Sequence, residues 1–155
     1  MYTIIENIIK DDKDCKIFKY IIQFNENRPN GDSRIFLQRF KTLKYAISGI
    51  NSSQIKRWRK LGLKDKDFFA CLDDFYPHGR HFEGRENYFR KGIGKEILNE
   101  LTSKILIFKP KIIYAIVTNE GIKKFLISQG YKSDYKNNRL LYKLFLSKKD
   151  SNKLS

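Results

Sequence analysis

The stretch Asn87-Tyr-Phe-Arg-Lys-Gly-Ile-Gly-Lys-Glu-Ile-Leu-Asn-Glu-Leu101 joins a short basic turn, which contains two glycines, to an amphipathic segment. Ile97, Leu98, Leu101 and Ile105 recur at spacings of three and four residues, which predicts a helix with one buried stripe. Such a helix leaves backbone N–H groups unpaired at its start, where the positive end of the helix dipole also lies. Because glycine lets a ligand approach the backbone closely, the turn is suited to bind an anion such as a pyrophosphate.

Further elements follow the turn in alternation. Residues 111–118 form a continuous apolar, β-branched run, which is typical of a strand buried on both faces. Asn119 is placed to cap a second helix, and Gly130 is placed to end it in the left-handed conformation. The inward residues of that helix are expected to be Ile122, Phe125 and Leu126. Residues 139–146 predict a last strand, so this half of the chain alternates helices with strands.

The half of the chain from about residue 88 to 146 resembles the GNAT superfamily of acyl-CoA-dependent N-acyltransferases. The acyl-CoA signature of that family is Gln or Arg, two residues, Gly, one residue, and Gly or Ala. Residues 89–94 read Phe-Arg-Lys-Gly-Ile-Gly, with Phe89 in place of the usual Gln or Arg. Asn119 and the later Gly130-Tyr131 match the spacing of the family's Asn … Gly-Phe element. The resemblance implies an α/β (α+β) fold, in which helices flank a central mixed, mostly antiparallel sheet.

The resemblance also implies acetyl-CoA as the co-substrate and assigns residues to it. The pyrophosphate would be held by Arg90, Lys91, Gly92, Ile93, Gly94 and Lys95, with Gly84 and Arg85 on the strand before them. Asn119 would contact the pantetheine side, and a backbone N–H within residues 83–85 would stabilise the thioester oxygen. His78 and His81 are spaced as metal ligands can be, but no further ligand completes such a set, so we expect no metal.

Acetyl transfer requires a neutral amine, and a lysine amine has a pKa of about 10.4. By spacing, the frequent glutamate base of the family falls near His78, and Glu83 lies further along, so these two residues are the candidate catalytic bases. The alternatives are an exposed turn histidine at position 78 and a solvated carboxylate at position 83. Many family members protonate the departing thiolate with a tyrosine seven residues after the asparagine, a position that Leu126 holds here. Another group or water would replace that tyrosine, or the activity has been lost.

The composition predicts a folded cytoplasmic protein without a membrane partner. With 155 residues, 41% of them hydrophobic, the chain is long enough for one core, which we expect over residues 1–147, followed by a disordered tail at 148–155. No apolar run approaches the length of a transmembrane helix, and the first residues lack the layout of a signal peptide. Cys15 and Cys71 are expected to be packed thiols of a reducing compartment rather than a disulfide.

The net charge of +15 indicates either an attraction to polyanions such as nucleic acid or a lysine-rich composition from an AT-rich genome. Residues 49–58 resemble the turn and second helix of a helix-turn-helix, with Trp58 inward and Gln54 and Arg57 toward a major groove. The alternative is an ordinary basic amphipathic helix. The candidate nucleic-acid contacts are Lys41, Lys44, Lys56, Arg57, Arg59 and Lys60.

The sequence of the N-terminal half predicts both strands and helices. Residues 2–9 predict a strand, residues 15–24 a helix with Phe18, Ile21 and Ile22 on one face, and Ser33 the cap of another helix. The inward residues of that second helix would be Phe36, Phe40, Leu43 and Ile47. Residues 65–75 predict a strand, 76–79 a turn, and 80–85 the strand that leads into the glycine turn.

Two hypotheses follow. The first is an acetyl-CoA-dependent N-acetyltransferase whose amine acceptor is associated with nucleic acid, such as an aminoacyl-tRNA or a protein bound to nucleic acid. The second is a basic nucleic-acid-binding protein that uses the helix-turn-helix-like segment 45–60 on a catalytically degenerate GNAT-like scaffold.

Overall fold

The structure is a computed structural model that describes residues 1–45, 50–79 and 92–145, with residues 43–45 described by their backbone alone. The strands in these ranges are β1 (Tyr2–Asp11), β2 (Cys15–Phe24), β3 (Gly31–Arg39), β4 (Phe68–Tyr76), β5 (Ile112–Ile116), β6 (Lys132–Ser133) and β7 (Leu140–Leu144). The helices are α1 (Ser52–Lys60), α2 (Ile93–Leu106) and α3 (Glu120–Ser128), with a 3-10 helix at Phe40–Tyr45. None of the helices described has the length and apolar content needed to cross a membrane.

One sheet contains these strands in the order β1-β2-β3-β4-β5-β7-β6. The pairs β1/β2, β5/β7 and β6/β7 are antiparallel, whereas β4 and β5 are parallel. The chain divides into two compact units, of which the first contains Met1–Phe36 and Leu72–Ile107 and the second Leu37–Cys71 and Phe108–Ser155. The single domain expected over residues 1–147 stays a prediction, and the tail expected at 148–155 lies outside the described residues.

The segment Cys15–Phe24 is strand β2, so the prediction of a helix there is wrong. Phe18, Tyr20 and Ile22 are buried in alternation, which is the period of a strand. Phe18 and Ile22 are four residues apart and therefore fit either period. Antiparallel pairing with β1, the predicted strand near the N-terminus, favours the strand, because hydrogen bonds between β1 and β2 pair the backbone N–H and C=O groups of the segment.

The segment Gly31–Arg39 is strand β3, where the sequence predicted a helix capped by Ser33, so that prediction is also wrong. Ser33 is buried, and its hydroxyl donates a hydrogen bond of 2.6 Å to the carbonyl oxygen of Asp74 on β4. A Cβ on Gly31 would lie 2.3 Å from the carbonyl oxygen of Pro77, so only glycine fits there. Both contacts join distant segments and override local propensity. The remaining predicted inward residues fall in β3 (Phe36), at the start of the 3-10 helix (Phe40) or outside the described side chains (Leu43 and Ile47).

The second unit confirms the strand and helix predicted after residue 110. β5 is buried from Ile112 to Ala115. The side-chain oxygen of Asn119 accepts a hydrogen bond of 3.0 Å from the backbone N–H of Ile122 and thereby caps α3. Gly130 follows α3 with a φ of 95°, the left-handed conformation that glycine adopts without steric cost. The short strand β6 was not predicted.

Three aromatic rings form the core of the second unit. The ring of Trp58 on α1 lies 5.4 Å from that of Tyr114 on β5, and the ring of Phe69 on β4 lies 5.9 Å from the same tyrosine. All three side chains are fully buried. Trp58 therefore fixes which face of α1 points inward, as the sequence predicted.

Candidate functional site

Helix α2 begins directly after Gly92, at the turn that the sequence singled out as an anion site. Gly92 has a φ of 80°, and its carbonyl oxygen accepts the first intrahelical hydrogen bond, from Glu96, at 3.1 Å. Because glycine has no side chain, no side chain at this position caps the N–H groups of the first turn. A Cβ added at Gly92 would meet no other described atom within 4 Å, so the residue faces open space.

The predicted stripe of α2 is confirmed, since Ile97, Leu98, Leu101 and Ile105 are buried. Lys95 and Glu96 both lie in the first turn and are exposed, so their side-chain charges offset each other and the helix dipole supplies the positive field. The apolar face of α2 is thus packed in the core, while Gly92 and Lys95 at its start are exposed to solvent. The other residues assigned to the pyrophosphate or to the strand before it, Glu83, Gly84, Arg85, Arg90 and Lys91, lie outside the described residues.

The middle of α2 is attached to the first strand of the sheet. The hydroxyl of Tyr2 on β1 donates a hydrogen bond of 3.0 Å to a carboxylate oxygen of Glu100. Burial, together with this hydrogen bond to Glu100, raises the pKa of Tyr2 to about 12. The phenol therefore stays protonated at neutral pH and keeps its role as a donor, which fixes α2 relative to β1 within the first unit.

His78 lies in the turn after β4 and is buried, with 6% of its surface exposed. The interpretation as an exposed turn histidine is therefore wrong. Burial, and then the positive charge of Arg28, lower the pKa of His78 to about 4. The imidazole is consequently neutral at neutral pH and holds an added proton only weakly. A base of this strength is poorly matched to an amine of much higher pKa.

Asn119 caps the start of α3 and Leu126 lies within the helix, and both positions constrain the roles of these residues. The side-chain oxygen of Asn119 is occupied in capping the helix, while the residue itself is exposed. Leu126 is fully buried, so the position of the family's tyrosine belongs to the core in this chain. Tyr131 is buried as well, so it is a core aromatic as predicted. Burial also raises the pKa of its hydroxyl.

The basic residues assigned to nucleic acid have different surroundings. Lys56 and Lys60 on α1 and Lys41 after β3 are exposed, whereas the side chain of Lys44 lies outside the description. Arg59 pairs with Asp65 at 2.7 Å. Gln54, expected to face a groove, is buried with 1% exposed and forms a capping box with Asn51 at the start of α1. The helix-turn-helix expectation for Gln54 is therefore wrong, and Gly49, which would make the turn, lies outside the described residues.

Arg57 makes the contact that the sequence did not foresee. Its guanidinium donates hydrogen bonds of 2.8 and 2.9 Å to the two carboxylate oxygens of Asp134, a side chain with 4% exposed. The ring of the next residue, Tyr135, lies 4.7 Å from the guanidinium carbon and is exposed. Since Asp134 is 77 residues from Arg57 in the chain, no local pattern signals this pair.

The first unit also contains a polar groove of about 310 Å³, lined by Lys19, Asp32, Ser33, Arg34 and Asp74. Its lining includes both carboxylates and cations, and Arg34 lies 3.9 Å from Asp73. Such a groove suits a small zwitterionic or hydrated group rather than a polyanion. In the ranges 1–45, 50–79 and 92–145 no group of three His, Cys, Asp or Glu side chains is placed to hold a metal ion.

No protein-family model matches the chain, and no curated protein matches it by sequence. Among solved structures the chain is similar to AtaT complexed with acetyl-methionyl-tRNAfMet, at 16% identity and a TM-score of 0.51, over 99% of this chain and 100% of that one. It is also similar to a point mutant of KacT, at 12% identity and a TM-score of 0.48, over 89% of this chain and 74% of that one. The likeness to AtaT confirms the predicted fold class: the chain has a GNAT-like α+β fold, with helices flanking a mixed, mostly antiparallel seven-stranded sheet.

Proposed function

We propose that this chain is an N-acyltransferase that moves the acetyl group of acetyl-CoA to an amine acceptor carried by RNA. The observation that carries the proposal is the start of α2, where Gly92 is left-handed, uncapped and open to solvent. In a GNAT-like fold this is the helix whose first turn faces the nucleotide diphosphate of an acyl-CoA. The backbone N–H groups and the helix dipole favour a negatively charged group there.

The chemistry asks little of acid–base groups. The lone pair of the amine attacks the thioester carbonyl carbon, the C–S bond breaks, the thiolate leaves, and the amine releases its proton to solvent. A thiol has a pKa of about 8.5, so its thiolate leaves near neutral pH without the tyrosine that Leu126 replaces. What remains for the protein is to hold the two reactants and to orient them.

The low pKa of His78 favours one class of acceptor over another. With a pKa of about 4 the imidazole is too weak a base to deprotonate a lysine efficiently. At pH 7.5 about 0.1% of lysine side chains are neutral, whereas roughly a third of α-amino groups are, since their pKa is about 7.8. An α-amino acceptor therefore reacts without a strong base, and we propose an α-amino group, such as that of an aminoacyl-RNA, as the acceptor.

Two features support the RNA part of the proposal. The chain carries a net charge of +15, well beyond the charge of acetyl-CoA. The neighbour AtaT has been solved in complex with acetyl-methionyl-tRNAfMet, which is an RNA that carries an acetylated α-amino group. The test is transfer of labelled acetyl from acetyl-CoA to a pool of aminoacylated tRNA, followed by mass analysis of the released aminoacyl groups. Label on the α-amino group is the expected result, and released aminoacyl groups that stay unlabelled would refute it.

A second candidate is a nucleic-acid-binding protein on a catalytically inactive scaffold. The observation that favours it is the buried Leu126 in place of the usual tyrosine. This candidate predicts tRNA binding that weakens with salt, without any change in melting temperature on addition of acetyl-CoA. The first candidate predicts such a change, so one thermal-shift titration distinguishes the two.

A further inference from the structure

Tyr135 is the most exposed of the large hydrophobic side chains in the described part of the chain, with 75% of its surface exposed. It lies in the turn between β6 and β7. The guanidinium carbon of Arg57 lies 4.7 Å from the centre of its ring, and the ammonium nitrogen of Lys136 lies 5.6 Å from it. Both distances fall within the range of cation–π interactions, so a solvent-facing aromatic ring stands among positive charges.

The turn that carries this ring is held in one conformation. Besides the two hydrogen bonds from Arg57, the carboxylate of Asp134 accepts the backbone N–H groups of Lys136 at 3.2 Å and Asn137 at 3.0 Å. The second guanidinium nitrogen of Arg57 donates to the hydroxyl of Ser53 at 2.7 Å. The exposed position of the ring is therefore fixed by a buried carboxylate beneath it and does not result from a loose turn.

The surroundings of the ring are basic. Two exposed lysines, Lys132 and Lys136, lie within three residues of Tyr135 in the chain. Two more, Lys56 and Lys60, lie on α1 within one helical turn of Arg57. Among the described residues none of these four forms an ion pair with a carboxylate. Arg57, by contrast, is neutralised by Asp134, so its part is to support the ring rather than to contact a phosphate.

We propose that Tyr135 stacks on an unpaired base of the RNA that carries the acceptor, while the surrounding lysines contact its phosphates; this rests on the RNA part of the proposed function. An exposed ring with the ammonium group of Lys136 beside it matches a flat base attached to a negative backbone. Bases within a duplex are already stacked on each other, so the partner is single-stranded RNA at a loop or an end. Stacking on one aromatic side chain strengthens binding by about 5- to 150-fold per base.

The test uses the full chain and a fluorescein-labelled single-stranded RNA of mixed sequence, with DNA of the same sequence and a blunt, fully paired RNA duplex as further probes. Fluorescence anisotropy at a fixed salt concentration gives each Kd. The variant Tyr135→Ala is expected to weaken binding of single-stranded RNA about 5-fold or more, and Tyr135→Phe to bind within about twofold of the unmodified chain, because the ring remains. The control Ile107→Ala removes another exposed side chain, 73% exposed, and should leave the Kd unchanged.

Equal RNA affinity of Tyr135→Ala and the unmodified chain would overturn the proposal. So would a loss confined to the DNA or to the duplex, an equal loss in Tyr135→Phe, or an unmodified chain that binds no nucleic acid. Thermal shift with acetyl-CoA is measured on the same samples. If no acetyl-CoA shift occurs and RNA affinity still depends on the ring, the transferase proposal fails and the stacking proposal stands.

Discussion

Gly92 and Gly62 offer a matched pair for testing whether the start of α2 binds the diphosphate of acetyl-CoA. Both have positive φ, 80° at Gly92 and 103° at Gly62, and at both a Cβ would meet no other described atom within 4 Å. A tryptophan at either position therefore suffers similar backbone strain, about 1–2 kcal/mol. Only at Gly92 would the indole cover the N–H groups of a helix start.

The expected magnitudes follow from this geometry. Each substitution should lower the melting temperature by roughly 2–8 °C, since a chain of this size shifts about 2–4 °C per kcal/mol. Acetyl-CoA at 100 times its Kd should stabilise the unmodified chain by about 2.7 kcal/mol, or roughly 5–11 °C. Gly62→Trp should keep that ligand-induced increase in full, and Gly92→Trp should lose it.

The assay is differential scanning fluorimetry with acetyl-CoA, CoA and pantetheine, which lacks the diphosphate. CoA should act like acetyl-CoA on the unmodified chain, and pantetheine should give little change at equal concentration. If Gly92→Trp keeps the same increase as Gly62→Trp, the start of α2 does not hold the diphosphate. If both variants lose it, the effect comes from strain or unfolding, and the assignment to Gly92 is refuted as well.

Three further outcomes are expected. Because the folded-state pKa of His78, about 4, lies below the ordinary 6.5, the unfolded chain binds the proton first and stability falls as the pH drops through this interval. Urea unfolding should show a loss of about 2–3 kcal/mol between pH 7.5 and 4.5 that His78→Gln lacks, and equal losses would contradict the assignment. Leu126→Tyr should cost about 1–3 kcal/mol by overpacking a fully buried position and should not accelerate acetyl transfer; a faster rate would refute this. Asp134→Ala should lower the free energy of unfolding by about 2–3 kcal/mol, because it leaves the Arg57 guanidinium without its partner. The double variant with Arg57→Ala should lose less than the two single variants together, and a strictly additive loss would show that the pair contributes nothing.

The C-terminal half of the fold was predictable because its signals are local. The buried stripe of α2, the cap at Asn119 and the left-handed Gly130 each depend on residues within one or two helical turns. Strands β2 and β3 were not predictable in the same way. Phe18 and Ile22 fit both a helix and a strand, and the pairing that decides lies on the opposite side of a hairpin. Long-range hydrogen bonds overrule local spacing in such segments.

The candidate site shows the same division. Gly92 was predictable, because a glycine before an amphipathic stripe signals a helix start in the sequence itself. The burial of His78 was not predictable, since it depends on how the turn after β4 packs. Its low pKa depends on that burial and on the charge of Arg28, fifty residues earlier in the chain. The exposure of Tyr135 was not predictable for a related reason: an aromatic residue is expected inside, and the pairing of the preceding residue, Asp134, with Arg57 is a long-range contact.

The two departures from the family pattern reinforce each other in what they imply about the acceptor. A histidine with a pKa of about 4 and a buried leucine in place of the tyrosine leave the described part of the chain without a strong base or acid at these two positions. In the proposed transfer, neither His78 nor Leu126 supplies a strong base or acid, so the reaction depends more on positioning and on an amine that is already neutral. The binding energy for positioning must then come from parts of the acceptor that do not react. An α-amino group attached to a large polyanion meets both requirements, because a large share of it is neutral and the polyanion supplies the binding energy. A free lysine meets neither requirement.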